Sequence, residues 1–152
     1  SIAGMPAGTY RTLEWAHLGP LLVAARPTDA EPSHVPHDDL RARVEQGDGA
    51  LRAAMDRLAD TARHAARAID EGDPAGLRRA LDSSFDIRAT SIGATPGQHR
   101  SVDIVRAAGG SANSTGSGGS IIAAAHDDTH RDALADALTA DGCVVLPVGP
   151  AA

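Results

Sequence analysis

Apolar and polar positions change period several times along this chain, and each change marks an element. From Gly49 to Glu71, the residues Leu51, Met55, Leu58, Ala62, Ala65 and Ile69 recur at steps of three and four, with Arg52, Arg57, Arg63 and Arg67 on the other faces. That spacing predicts one long amphipathic helix. A short helix precedes it, from Asp39 to about Gln46, stopped by Gly47. "EGDP" (71–74) ends the long helix. Asp73 as N-cap and Pro74 at the first position then start another, which carries Leu77, Ala80 and Leu81 towards Ile92. "GATPG" (93–97) reads as a turn, and "RSVDIVRAA" (100–108) as a helix ended by Gly109 and Gly110. "DDTHRDALADALTADG" (127–142) is an amphipathic helix with an Asp cap and a terminal glycine.

Short apolar runs supply the strands. "PLLVAAR" (20–26), "SIIAAA" (120–125) and "CVVLPV" (143–148) predict three, and the imperfect alternation of "TYRTLEW" (9–15) a fourth. Residues 1 to 9 read as irregular, and "PTDAEPSHVPHDD" (27–39), with three prolines, as a loop. The order β-β-α-α-α-α-β-α-β predicts an α+β two-layer sandwich, a mainly antiparallel sheet covered by helices. There is no internal repeat.

Composition narrows the function classes. A chain of 152 residues suggests one domain, and at that size roughly 68–70% of the unfolded surface is buried. Its only aromatic residues are Tyr10, Trp15 and Phe85, so alanine, leucine and valine must fill the core. There is no lysine: all 14 fixed cations are arginine, and the net charge is −6. That balance argues against a nucleic-acid surface, which needs clustered cations. No stretch approaches the ~20 apolar residues of a membrane span, and no secretory-signal pattern is visible. The single Cys143 excludes an internal disulfide and fits a reducing compartment, so a cytoplasmic location is expected. The chain begins at Ser1 rather than at methionine, as a processed product or a piece of something longer would.

The candidate chemistry centres on "STGSGGS" (114–120). It is not the phosphate loop G-x-x-x-x-G-K-[ST], because five residues separate Gly110 from Gly116 and Ser117 stands where lysine belongs. Nor is it the dinucleotide fingerprint, since Ile121 takes the place of the third glycine. Both of those motifs open a helix, whereas this loop opens a strand, so no helix N-terminus at the loop can hold an anion. Successive backbone N–H groups still could, because glycine reaches the dihedrals required. The alternative is a plain structural turn. His34 with His37, and His126 with His130, lack the further ligands that a metal site needs, so no metal is expected. Cys143 opens an apolar run and reads as core rather than nucleophile. No G-x-S-x-G elbow exists.

The run "GGSANSTGSGGSIIAAA" (109–125) resembles the third motif of the GHMP small-molecule kinases, K-x-T-G-A/S-G-G-G/A followed by an apolar strand. Four further segments resemble the glucuronokinase-like branch. They are "GTYRTLEWAHLGPLLVAARPTD" (8–29), "SHVPHDDLRARVEQGD" (33–48), "SSFDIRATSIG" (83–93) and the closing "GCVVLPV" (142–148). The resemblance runs in order through nearly the whole chain. It implies the C-terminal half of an ATP-dependent sugar kinase. The complete enzyme would transfer the γ-phosphoryl of MgATP to a sugar such as glucuronate, at the anomeric carbon. Nothing here matches the "PxxxGLGSSAA" loop of the N-terminal ATP-binding half, which typically also supplies the catalytic acid. That half is the expected partner, in the same gene or as a separate chain. This chain alone is expected to be inactive, with no cofactor of its own.

By matched position, Thr115, Gly116, Ser117, Gly118 and Gly119 would line the phosphate cleft. Asn113 stands where the family places lysine, and Ser114 replaces a larger apolar residue. His37, Arg41 and Arg43 fall at the family's H-x-x-x-R-x-R spacing, and an arginine fork would suit a uronic acid carboxylate. The alternative is a solvated helix face. Asp86 and Arg88 match "FDxR" and would pair locally or reach the cleft; otherwise Phe85 anchors a structural helix there. The rival to the kinase reading is a non-catalytic sugar-phosphate-binding or protein-interaction module, favoured by Asn113 and by the missing ATP loop. A generic α+β domain whose loop is only a turn is the third possibility.

Overall fold

The computed structural model describes residues 12–29, 34–116 and 119–149, with the backbone only at 29 and 34–39. Its elements are β1 (Leu21–Ala25), α1 (His34–Glu45), α2 (Gly49–Glu71), α3 (Pro74–Ser91), α4 (Pro96–Ala107), β2 (Ser111–Ser114), β3 (Ser120–Ala124), α5 (Asp128–Ala140) and β4 (Val144–Val148). Short 3-10 turns cover Trp15–His17 and Pro27–Asp29.

The strands form one sheet in the order β2-β3-β1-β4, with every pairing antiparallel. Because β1 and β2 both run against β3, they are parallel to each other with β3 between them. By the same reasoning β3 and β4 flank β1. This is the split β-α-β arrangement, with helices crossing between non-adjacent parallel strands. The α+β sandwich with a mainly antiparallel sheet is therefore the fold observed.

Residues directly across an antiparallel pair share a face. Leu22, Ala123 and Ala112 align in one row, and Ala24, Ile121 and Val145 in the next. These rows pack with Val102 and Val105 of α4, Leu134 and Leu138 of α5, Phe85 of α3 and Cys143. Small side chains on the strands let the helices approach closely. Gly110 shows how closely: a Cβ there would lie 2.8 Å from Val105 Cγ1 and 2.9 Å from Leu134 Cδ1. The opposite face carries Val23, Ile122, Asn113 and Leu146 in one row.

Helices α2 and α3 form a hairpin turned by Gly72 and Asp73. Gly72 adopts φ 64°, and the Asp73 carboxylate caps α3 by accepting the Gly76 N–H at 2.9 Å. α3 lies along the outer edge of β2, where Asp82 accepts the Ala112 N–H at 3.2 Å. That contact occupies part of an edge that would otherwise present unpaired backbone groups.

Four expectations change. Residues 12–14 are irregular and Trp15 begins a 3-10 turn, so no strand forms there; residues 9–11 lie outside the described residues. α1 begins at His34, earlier than Asp39, with Pro36 in its first turn, where no intrahelical N–H bond is lost. α4 begins at Pro96 because Thr95 and Gln98 form a reciprocal capping box; the "GATPG" turn is its entrance. Finally, "SANS" forms β2, a strand without β-branched or aromatic residues to announce it. The observed order is β-α-α-α-α-β-β-α-β.

Candidate functional site

The glycine loop is the tip of the β2–β3 hairpin. Thr115 N–H donates to the Ser120 carbonyl at 3.2 Å, and the two side-chain oxygens lie 2.5 Å apart. These contacts close the hairpin below the glycines. On one side Gly119, at φ 42°, accepts the Arg26 N–H at 3.0 Å, which prolongs the β1–β3 ladder into the loop. On the other side, Gln98 Nε2 reaches the Gly116 carbonyl at 3.5 Å. Gln98 is only 3% exposed and is fixed by its capping bonds with Thr95, so the first turn of α4 braces the loop. Outward from Gly116 there is open space: an added Cβ would meet nothing within 4 Å. The loop is thus pinned at its base, with open space on the Gly116 side. Ser117 and Gly118 lie outside the described residues.

Below the loop, both ends of the Asn113 amide are engaged. Its Nδ2 donates to Ser84 Oγ at 3.1 Å, and its Oδ1 accepts the Ser114 N–H at 2.9 Å. The position where the resemblance places a lysine therefore holds a side chain that fastens β2 to α3.

Beside this contact, α2, α3 and the end of β2 enclose a cleft of about 290 Å³, lined among others by Leu58, Thr61, Leu81, Ser84, Arg88 and Asn113. Arg88 Nε is buried without a hydrogen-bond partner. Leaving a buried donor unmade costs about 1–3 kcal/mol, more when the group is charged. Asp86, two residues earlier, points elsewhere: it pairs with Arg106 at 2.9 Å, and the Arg106 guanidinium sits 5.5 Å from the Phe85 ring centroid. Asp86 and Arg88 do not act together.

The arginines of α1 also separate. Arg43 donates from Nε to Asp48 Oδ2 and from Nη1 to the Ser91 carbonyl, both at 3.0 Å, so it ties α1 to the end of α3. Asp48 caps α2 by accepting the Leu51 N–H, and that bond, followed by Arg43, holds its carboxyl below the usual range. Arg41 is exposed. His37 lies within α1, and its side chain is outside the described residues. Of the expected site residues, the fold gathers Thr115, Gly116 and Gly119 at the loop and Arg88 beside the strand that leads into it.

His126 and His130 stack with centroids 5.0 Å apart. Their Nε2 atoms meet the Gly109 and Ala108 carbonyls at 3.1 and 2.9 Å, so the pair joins the start of α5 to the end of α4. Among the described residues, no group of three or more His, Cys, Asp or Glu could hold a metal ion. A junction that sequence spacing did not show is Asp141, which receives Arg26 and Arg100 together. The Arg100 hydrogen bond first, then Arg26, lowers its carboxyl to about 2. The bracing role of Gln98 also escaped, although the T-x-x-Q spacing from Thr95 was there to be read as a capping box.

Residues 65–142 match the family model described as GHMP kinases C terminal. The chain belongs to that family. The GHMP kinase C-terminal domain also matches solved structures at low identity. One is L. major mevalonate kinase, crystallised with R-mevalonate, at 20% identity and a TM-score of 0.75, over 88% of this chain and 43% of that one. Another is the Lin0012 protein from Listeria innocua, at 18% identity and a TM-score of 0.80, over 90% of this chain and 40% of that one. At these identities the likeness establishes the fold, and the chain spans less than half the length of either structure. No curated protein matches the sequence significantly. Among the described residues, no helix of this GHMP domain is long and apolar enough to cross a membrane.

Proposed function

We propose that this GHMP domain is the C-terminal half of an ATP-dependent small-molecule kinase. The observation that supports the reading is a loop pinned at its base by Thr115, Gln98 and Arg26, beside a cleft of about 290 Å³ and in a stretch whose sequence resembles the family's third motif. In this scheme the loop forms one wall of the phosphate cleft, and the α2–α3 cleft receives the acceptor. A sugar such as glucuronate is the acceptor that the sequence resemblance favours; mevalonate, bound by the L. major enzyme, belongs to the same broad class of small hydroxylated molecules.

The donor set suits phosphate rather than metal. The Gly116 and Gly119 backbone N–H groups can meet phosphate oxygens, and a loop held by Gln98 and Arg26 needs little reorganisation to do so. Mg²⁺ bound with ATP would neutralise charge on the transferring phosphoryl group, and its ligands belong to the N-terminal half in this scheme. The contribution of this chain is to orient the acceptor and to exclude water from one side of the cleft. The other half, in the same polypeptide or a separate one, supplies the ATP loop and the catalytic acid. Val144 and Leu146 support a docking partner: they are 56% and 61% exposed, on the sheet face turned away from α4 and α5.

The second reading, a non-catalytic binding module, is favoured by Asn113, which leaves the loop without the family's cation. ADP release separates the two. The chain is assayed with MgATP and glucuronate, galactose, arabinose or mevalonate, alone and together with an N-terminal half. Turnover that needs both halves supports the kinase and identifies its acceptor. Silence from halves that demonstrably associate supports the binding module.

A further inference from the structure

The hairpin of α2 and α3 carries a second groove, of about 310 Å³, beside its turn. Among the described residues, its lining comes from the two helices and the Asp73 cap between them, with no strand and no residue of the glycine loop. It shares only Thr61 with the cleft that holds Arg88. Its size falls within the range of small-ligand sites, which begins at roughly 300 Å³. Two cations and two acids line it: Arg67, Arg79, Glu71 and Asp73. Asp73 is already engaged, because it caps α3 through the Gly76 N–H at 2.9 Å and meets Arg79 Nη2 at 3.3 Å.

Arg67 and Glu71 differ. Four residues apart on α2, they have the spacing of a helical ion pair, yet among the described residues no ion pair engages either. Arg63 with Asp60, and Arg131 with Asp128, do close at 2.6 Å. In Arg67 and Glu71 the cation precedes the acid, which is the weaker order on a helix. Arg67 acts on Asp60 only through its field. The groove therefore presents one positive and one negative end, roughly 6 Å apart along the helix axis. Ser83 adds a hydroxyl from the facing helix, and His64 an imidazole one turn before Arg67. A molecule carrying both charges satisfies both ends, with guanidinium N–H groups on its carboxylate and the Glu71 carboxylate on its ammonium. A phosphate dianion would face Glu71 and Asp73, and a plain cation would face Arg67 and Arg79.

We propose that this groove binds a small zwitterion of the α-amino acid class, with its carboxylate at Arg67 and its ammonium at Glu71. The inference goes beyond the kinase reading and does not depend on it: the groove lies outside both the phosphate loop and the acceptor cleft, so its ligand is an effector rather than a reactant. Binding is measured on the chain by itself, whereas the kinase reading stands or falls on ADP release.

The test is a ¹⁵N NMR titration that follows the Arg67 and Arg79 Nε–H signals and the Glu71 amide, with the Asn113 and Ser114 amides as reporters of the other cleft. The probes are L-serine, N-acetyl-L-serine, L-serinamide and inorganic phosphate. The acetylated form lacks the ammonium and the amide lacks the carboxylate, so each isolates one charge. L-serine is expected to shift the Arg67 and Glu71 signals saturably and to leave Asn113 and Ser114 in place. Each single-charge analogue should bind about tenfold more weakly, the loss of one charge-assisted hydrogen bond, and phosphate should leave the signals unmoved. Arg67→Gln and Glu71→Gln should each weaken L-serine binding about tenfold. Both positions are exposed, and glutamine is a good helix former, so the urea midpoints should stay unchanged. No saturable shift with L-serine, equal binding of the analogues, undiminished binding in both variants, a response to phosphate only, or shifts centred on Asn113 and Ser114 overturns the proposal.

Discussion

Asn113 Nδ2 donates to Ser84 Oγ at 3.1 Å, and this bond joins the strand that enters the glycine loop to the helix that carries Arg88. Loop and cleft therefore share a hinge point. Asn113→Ala should cost about 1 kcal/mol, the net value of a typical internal hydrogen bond. It should also speed hydrogen exchange at Thr115, the amide that closes the hairpin. Urea denaturation and native-state exchange measure the two effects.

The loop's other brace runs through α4. Thr95→Ala removes half of the capping box and should lower stability by about 1 kcal/mol. Gln98→Ala removes the cap partner and the contact with the Gly116 carbonyl together. It should therefore perturb the Gly116 amide, whereas Thr95→Ala should disturb chiefly the first turn of α4. Amide chemical shifts of the two variants distinguish them.

Gly110 enters the core between Val105 and Leu134, both 0% exposed. An added methyl would meet side-chain atoms at 2.8 and 2.9 Å and the Val105 carbonyl oxygen at 3.3 Å. Gly110→Ala should then destabilise by about 1–3 kcal/mol, the usual penalty for overpacking. A fall in urea midpoint with an unchanged slope is the expected signature.

Asp141 gives the fold an acid-sensitive joint. Its carboxyl ionises at about 2 in the folded chain, below the ordinary aspartate range, because Arg100 and then Arg26 bind the charged form. A depressed carboxyl contributes stability that is present above the unfolded value and lost as pH falls towards the folded one. Stability should therefore drop between about pH 4 and pH 2. Asp141→Asn should flatten that part of the profile and lower stability at neutral pH. Urea midpoints across the range check both.

The legibility of each element in the sequence depended on which residues carried the signal. α2 was readable to its ends, because six apolar residues keep helical spacing and Asp73–Pro74 open the next helix directly after it. β2 was not. Its residues are small and polar, and it becomes a strand only because β3 pairs with it on one side and Asp82 takes an amide on the other. The start of α4 was hidden by a proline and a glycine that mark turns equally well, although Thr95 and Gln98 carried the capping spacing.

The site followed the same division. Local sequence marked a loop at 114–120, and Gly116 and Gly119 lie in the β2–β3 connection, since the conformational freedom of glycine shows in composition alone. It could not separate Asp86 from Arg88, because two residues on one helix face different neighbours and only the packing of α2 and α4 against α3 decides which one meets a cleft. Nor could it show that Arg43 is already engaged by Asp48 and by the Ser91 carbonyl, a partner 48 residues away.

In the proposed kinase the glycine loop is a wall of an ATP phosphate site completed by another half. The most direct measurement is an NMR footprint of a non-hydrolysable MgATP analogue on the labelled chain paired with an N-terminal half. Shifts are predicted at the amides of Thr115, Gly116 and Gly119, with the amides of α5 unmoved. A pair that binds the analogue while those three amides stay still would contradict the assignment of the loop to the phosphate site.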